Sequence, residues 1–142
     1  MAEPINQGHL GQTIEGNPHI LPLIEVDAPN GTGAVLVGEI IPFNTVADPI
    51  FYVVVANNCV DAELVYGFYG QHTLLRKKAG EAWVRGDRLT LKPNATGTKN
   101  DYIFQKCATD DPIMGIAQNE AASADVQAWV LGPFRGPFEL AP

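Results

Sequence analysis

The run Ile50-Phe51-Tyr52-Val53-Val54-Val55-Ala56 carries the strongest structural signal in the chain. It is continuous, apolar and rich in β-branched residues. Those side chains are stiff at χ1 and favour extended backbone, and the absence of alternation predicts a strand buried on both faces. Working upstream, His19-Ile20-Leu21-Pro22-Leu23-Ile24-Glu25-Val26 reads as a strand ending at the turn Asp27-Ala28-Pro29-Asn30-Gly31, and 34–43 as a second. Downstream, strands are predicted over 62–69, 71–76, 88–92, 101–107, 113–117 and 126–131. The alternation in Arg88-Leu89-Thr90-Leu91-Lys92 predicts a half-exposed strand. Fourteen glycines and eleven prolines in 142 residues exceed the average share of about 12% and cut the chain into short runs joined by turns. The segment 118–127 is rich in alanine, yet its small residues suit a tight loop as well as a helix. The expected fold is all-β, a compact barrel or sandwich of short strands.

The two halves echo each other. Val55-Ala56-Asn57-Asn58, a spacer, then Leu64-Val65-Tyr66-Gly67 resembles Ile116-Ala117-Gln118-Asn119, a spacer, then Trp129-Val130-Leu131-Gly132. Gly38-Glu39-Ile40 likewise resembles Gly86-Asp87-Arg88-Leu89. Two related β units are therefore expected.

Residues 1–19 differ from the rest, because glycines and prolines break any periodicity. They form either a frayed terminus or an extended arm in which Ile5, Leu10 and Ile14 occupy shallow pockets on a neighbouring subunit; the arm is the expectation adopted, with 20–142 as the β-rich domain. The net charge is −7, from nine basic and sixteen acidic residues. That balance argues against nucleic acid as a partner, since phosphate binding needs clustered cations. Basic residues are nonetheless concentrated: Arg76, Lys77, Lys78, Arg85 and Arg88 lie close together, and none precedes them. Such a run is either a solvated turn or a contact to an acidic surface. Hydrophobic residues make up 46% and charged ones 18%, below the usual charged share of about 25%, a composition suited to self-association.

Chemistry is sparsely represented. Ser123, the single serine, lacks the Gly-x-Ser-x-Gly context of an exposed nucleophile. His9, His19 and His72 show no metal-ligand spacing, and Asp110-Asp111 before Pro112 most simply builds a turn. No phosphate-binding glycine loop is present. Catalytic, metal and cofactor residues are thus expected to be absent, and Cys59 and Cys107 to be free thiols. Neither a secretory leader nor an apolar span of membrane length is expected. The aromatics Tyr66, Phe68, Tyr69, Trp129 and Phe134 serve either the core or a subunit interface, and a sugar-stacking platform is a third option.

One set of motifs is recognisable. Lys78-Ala79-Gly80-Glu81-Ala82-Trp83-Val84-Arg85-Gly86-Asp87-Arg88-Leu89 runs into a strand. It is followed by Met114-Gly115-Ile116-Ala117-Gln118-Asn119-Glu120-Ala121-Ala122-Ser123-Ala124-Asp125-Val126 and closes on Trp129-Val130-Leu131-Gly132. With Gly33-Ala34-Val35-Leu36-Val37-Gly38 upstream, this resembles a family of small tailed-phage head proteins that includes capsid decoration, or cement, proteins. The likeness spans about residues 20 to 136. The arm, the tail after Gly132 and the Cys59-Val60 insert depart from the family core.

The resemblance implies a protein with no enzymatic activity. It would be made in the bacterial cytoplasm and bind the outer surface of the expanded virion head as a homotrimer, stabilising contacts between major capsid protein subunits. On that reading Ile5, Leu10, Ile14, Arg76, Lys77 and Lys78 are candidate capsid contacts. Tyr66, Phe68, Tyr69, Trp129 and Phe134 are candidate trimer contacts. The alternatives are other virion structural roles, a glycan- or receptor-binding head fibre module or a head-completion connector.

Overall fold

A computed structural model describes residues 6–13, 21–24, 38–42, 51–57, 64–68, 70–94 and 102–142. The described residues contain strands and turns and no helix. Nine strands form: β1 (Leu21–Ile24), β2 (Ile40–Pro42), β3 (Phe51–Asn57), β4 (Leu64–Phe68), β5 (Gln71–Arg76), β6 (Arg88–Pro93), β7 (Tyr102–Lys106), β8 (Gly115–Ala117) and β9 (Gln127–Gly132). All pair antiparallel in one curled sheet of order β1-β4-β3-β2-β7-β6-β8-β9-β5. The all-β expectation holds.

That order is symmetric about β7. On one side lie β1-β4-β3-β2, and on the other β5-β9-β8-β6, so each flank places its strands in the same chain order with the first beside the last. This is Greek-key connectivity in the first flank, and the second repeats its strand order with β7 inserted between β6 and β8 in the chain. The registers agree as well. Val54 pairs with Gly67 in the β3–β4 hairpin, while Ile116 pairs with Leu131 in β8–β9, the same offset in the aligned segments. The hairpins diverge at a bulge between Val54 and Ala56, which slips the first by one residue. The sequence echo therefore coincides with a repeated strand order.

The sheet curls far enough for its second half to touch itself. Past the end of β5, Lys77 bridges to Phe104 of β7, and Lys78 N–H donates to the Phe104 carbonyl at 2.9 Å. Strands β7, β6, β8, β9 and β5 thus wrap around a core of Leu75, Trp83, Leu89, Phe104, Met114 and Val130, which continues to Ile40, Phe51 and Val53. Phe51 meets Tyr102 edge-on, ring centroids 4.8 Å apart. The described side chains of β3, Phe51 to Val54, are all buried, as the unbroken apolar run predicts.

Strand β6 corrects the half-exposed expectation. Leu89, Thr90 and Leu91 are all buried, so side chains on both faces of β6 are covered. Thr90 Oγ1 is buried with no hydrogen-bond partner, a polar atom that the alternation would have placed in water. Cys107 is a free, half-buried thiol whose Sγ lies 3.8 Å from the Pro112 carbonyl, and burial pushes its pKa up. Cys59 lies outside the described residues.

In the part that is described, the N-terminal segment pairs with its own chain. Gly11 N–H donates to the Leu74 carbonyl and Leu74 N–H to the Gln12 carbonyl, both at 2.9 Å, and Thr13 bridges Thr73. Residues 10–13 therefore pair with the free edge of β5 in their own chain. The reason is generic: an edge strand offers unpaired N–H and C=O groups to any extended segment within reach. Leu10 rests on Gly38, where a Cβ would stand 2.5 Å from that of Leu10, so only glycine admits the approach.

Candidate interaction surface

The recognisable motifs become one structure. Residues leading into β6 and those joining β8 to β9 lie side by side, held by main-chain bonds. Trp83 and Ala121 exchange N–H···O bonds of 2.9 and 3.0 Å, Gly80 N–H donates to Ser123 O at 2.8 Å, and Gly86 N–H to Ala117 O at 2.8 Å. Gly80 and Gly86 are called for here by backbone conformation, φ +89° and +92°, since a Cβ at either would meet nothing within 4 Å.

Three turns in this half share one design. In 84–87 the Asp87 carboxylate accepts the Val84 N–H at 2.8 Å, while Asp87 N–H returns to Val84 O at 3.1 Å. The same reciprocal pair closes 122–125 through Asp125 and 108–111 through Asp111. An aspartate in the fourth position substitutes its short side chain for a missing main-chain acceptor, which explains the Gly86-Asp87 motif. Gly86 takes φ +92° in the first of these turns. Asp111 also accepts Lys92 Nζ at 3.0 Å, and the Ala108 N–H and that ammonium hold its carboxyl below the usual range.

Glu81 of the motif and Lys77, just before it, act inside the assembly. Glu81 Oε1 accepts both Trp83 Nε1–H at 2.9 Å and Lys106 N–H at 2.7 Å, joining the loop to β7. Lys77 is 3% exposed and donates to the carbonyls of Lys78 at 2.9 Å and Asp125 at 3.2 Å, with its ammonium 5.5 Å from the Trp83 ring centroid. Loss of hydration lowers its pKa, opposed in part by Glu81 and Asp125.

This corrects the basic-turn expectation for Lys77, whose charge is spent within the chain. Lys78 is exposed, and Arg76 is half-buried opposite Gln127. Leu10, Arg76 and Lys77 do come together, lining a shallow hollow of about 350 Å³ with Asn94 and Ile103. Ile5, Ile14 and Tyr69 lie outside the described residues. Tyr66 and Phe68 fall in β4, registered against Ala56 and Val53 of β3. Trp129 is 9% exposed and its N–H is bonded to Asn6, so its apolar surface is largely consumed by its own chain. Phe134 is half-buried beside a second groove with Phe138, Ile116, Arg88 and Arg135. Trp83, at 1% exposure, offers no ring face to a sugar.

What sequence reasoning missed is the outer side of the paired loops. Val84 and Val126 are each 62% exposed, and with Leu140 they are the exposed large hydrophobics among the described residues. Next to them opens a cleft of about 760 Å³ lined by Asn6, Ala82, Trp83, Ala122, Ala124 and Val126, together with Glu120 and Asp125. The signal was present in the x-x-x-Asp turns, whose tips must face water. Among the described residues no three His, Cys, Asp or Glu side chains gather as a metal site, and no helix is long and apolar enough to cross a membrane. The arrangement offers an apolar, small-residue surface with mixed charges. No protein-family model matches the chain, and neither do curated proteins or solved structures.

Proposed function

We propose that the chain is a capsid decoration protein of the tailed-phage type. It coats the outside of the expanded head as a homotrimer and fastens neighbouring major capsid protein subunits to one another. The observation that carries this reading is the union of the two family-like motifs into one loop pair. Main-chain bonds of Gly80, Trp83 and Gly86 to Ser123, Ala121 and Ala117 hold the pair together, Asp87 and Asp125 close the turn in each loop, and alanines line the cleft outside. A clamp of this kind needs a rigid body and a contact surface, and both are in place on a sheet fixed at β5 by the N-terminal segment. It stabilises only the lattice state that it binds, and many copies multiply a modest contact.

The test is to mix the purified protein with expanded heads lacking it and with unexpanded precursor shells, and then to heat both. Decoration raises the rupture temperature of expanded heads and leaves precursor shells unchanged. Equal behaviour of both shells, or binding confined to one vertex as for a connector, overturns the reading.

A further inference from the structure

The cleft and the 84–87 turn, which follows the lining residues Ala82 and Trp83 in the chain, carry opposite charges beside apolar side chains. The tip of 84–87 presents Val84, 62% exposed, followed by the exposed Arg85 and Gly86, and it is held rigid by the Asp87 carboxylate on the Val84 N–H. The cleft is lined by alanines and Val126 over the buried Trp83, together with Asn6, Gln7, Gln127, the exposed Glu120 and the half-buried Asp125. An apolar knob carrying a cation thus sits on the same chain as an alanine-lined hole that includes carboxylates. We infer that the occupant of the cleft is the 84–87 turn of a second copy: Val84 fills the alanine-lined hollow and Arg85 pairs with Glu120 of that neighbour. The inference rests on the decoration reading and deepens it, by naming the surface through which copies join.

A two-fold dimer would engage knob and hole reciprocally, whereas a heterologous contact gives each to a different neighbour and closes into a ring when the rotation between copies permits; the trimer of the decoration reading takes the second form, and a dimer mass overturns it. Because knob and hole lie side by side on one loop pair, each copy gives its knob to one neighbour and its hole to the other close to a common axis. This contact takes the place of Trp129 in the trimer, since that side chain is largely buried within its own chain. The chain is strongly acidic, and five of its nine basic residues lie in 76–88. Placing Arg85 against a neighbour's carboxylate therefore relieves repulsion as well as forming a pair.

The experiment reads oligomer mass by sedimentation equilibrium for the wild type and four variants. Val84→Asp places a carboxylate in an apolar hole and is expected to weaken assembly about 100-fold. Arg85→Glu and Glu120→Arg each set like charges together and are expected to weaken it about tenfold, while the double reversal R85E/E120R restores assembly. All three substituted sites are exposed, so circular dichroism and Trp fluorescence report an unchanged fold. Assembly that is unaffected by all four variants, single reversals that the double does not rescue, or a wild-type chain monomeric at every concentration overturns the contact. Head binding is scored separately: a trimer that ignores expanded heads refutes the function reading and leaves the contact standing.

Discussion

Gly115 is the position where adding one methyl group should do the most damage, and the geometry says why. A Cβ there would stand 2.7 Å from Phe104 Cε1 and 3.0 Å from both Phe104 Cζ and Val130 Cγ1. Carbon atoms pack at about 3.5–4.0 Å, so the neighbours must retreat by about 0.5–1 Å. Neither can, since Phe104 and Val130 are both 0% exposed in the core. Overpacking of this kind costs about 2–3 kcal/mol, and the lost backbone freedom of the unfolded chain returns about 0.5–1. Gly115→Ala should therefore destabilise by about 1–2.5 kcal/mol, lowering Tm by about 3–10 °C and the urea midpoint by about 0.5–1.5 M, with an unchanged slope. Removing the obstructing methyl should relieve the clash. In a double-mutant cycle with Val130→Ala, the pair should be less destabilised than the sum by about 1 kcal/mol. Gly80→Ala is the control: it has φ +89° and nothing within 4 Å, so it should cost about 1 kcal/mol of backbone strain and show no coupling to Val130. A G115A protein as stable as wild type, or one strictly additive with V130A, refutes the packing argument.

Three further outcomes are expected. Lys77 has a folded pKa below 10.5, so it binds fewer protons folded than unfolded between the two values, and its unfavourable charge burial is relieved as pH rises through that window. The stability difference between wild type and Lys77→Met should therefore move in favour of wild type from pH 7 towards pH 10, read by urea titration; a pH-independent difference contradicts this. Asp111 has a folded pKa below 3.8, so its stabilisation is complete above the unfolded value and is lost as pH falls through the folded one. Asp111→Asn should flatten the acid limb of the stability profile, and an unaltered limb refutes the assignment. Deleting residues 2–13 bares the β5 edge at Leu74, and should lower Tm and promote aggregation, measured by calorimetry and light scattering; unchanged values would show that the edge needs no cover.

How much of this was legible in the sequence depended on the kind of interaction involved. The strands were readable because β-branched runs such as that around Val53 are bounded by glycine, proline and asparagine, a purely local signal. The repeat was readable too, since the Ala56 and Ala117 hairpins keep matching residues, although the slip at Val54 and Ala56 was not. Strand β6 was misjudged because alternation reports one neighbouring layer, whereas side chains on both faces of β6, Thr90 included, are covered. Lys77 was misjudged because residue type gives the charge and not the carbonyls that receive it. The pairing of residues 10–13 with β5 is made by main-chain atoms, so no side-chain pattern could announce it. The interaction surface emerged only when the two loops were placed together, since Val84 and Val126 are 42 positions apart in the chain and each looks ordinary alone.

The most direct test of the central claim is a reconstruction by electron cryomicroscopy of expanded heads with and without the added protein. The account predicts a difference density on the outer surface at three-fold positions, three chains in each, with the 84–87 turns gathered around the axis. A difference map that is empty, or that places the protein at a single vertex or inside the shell, would contradict it.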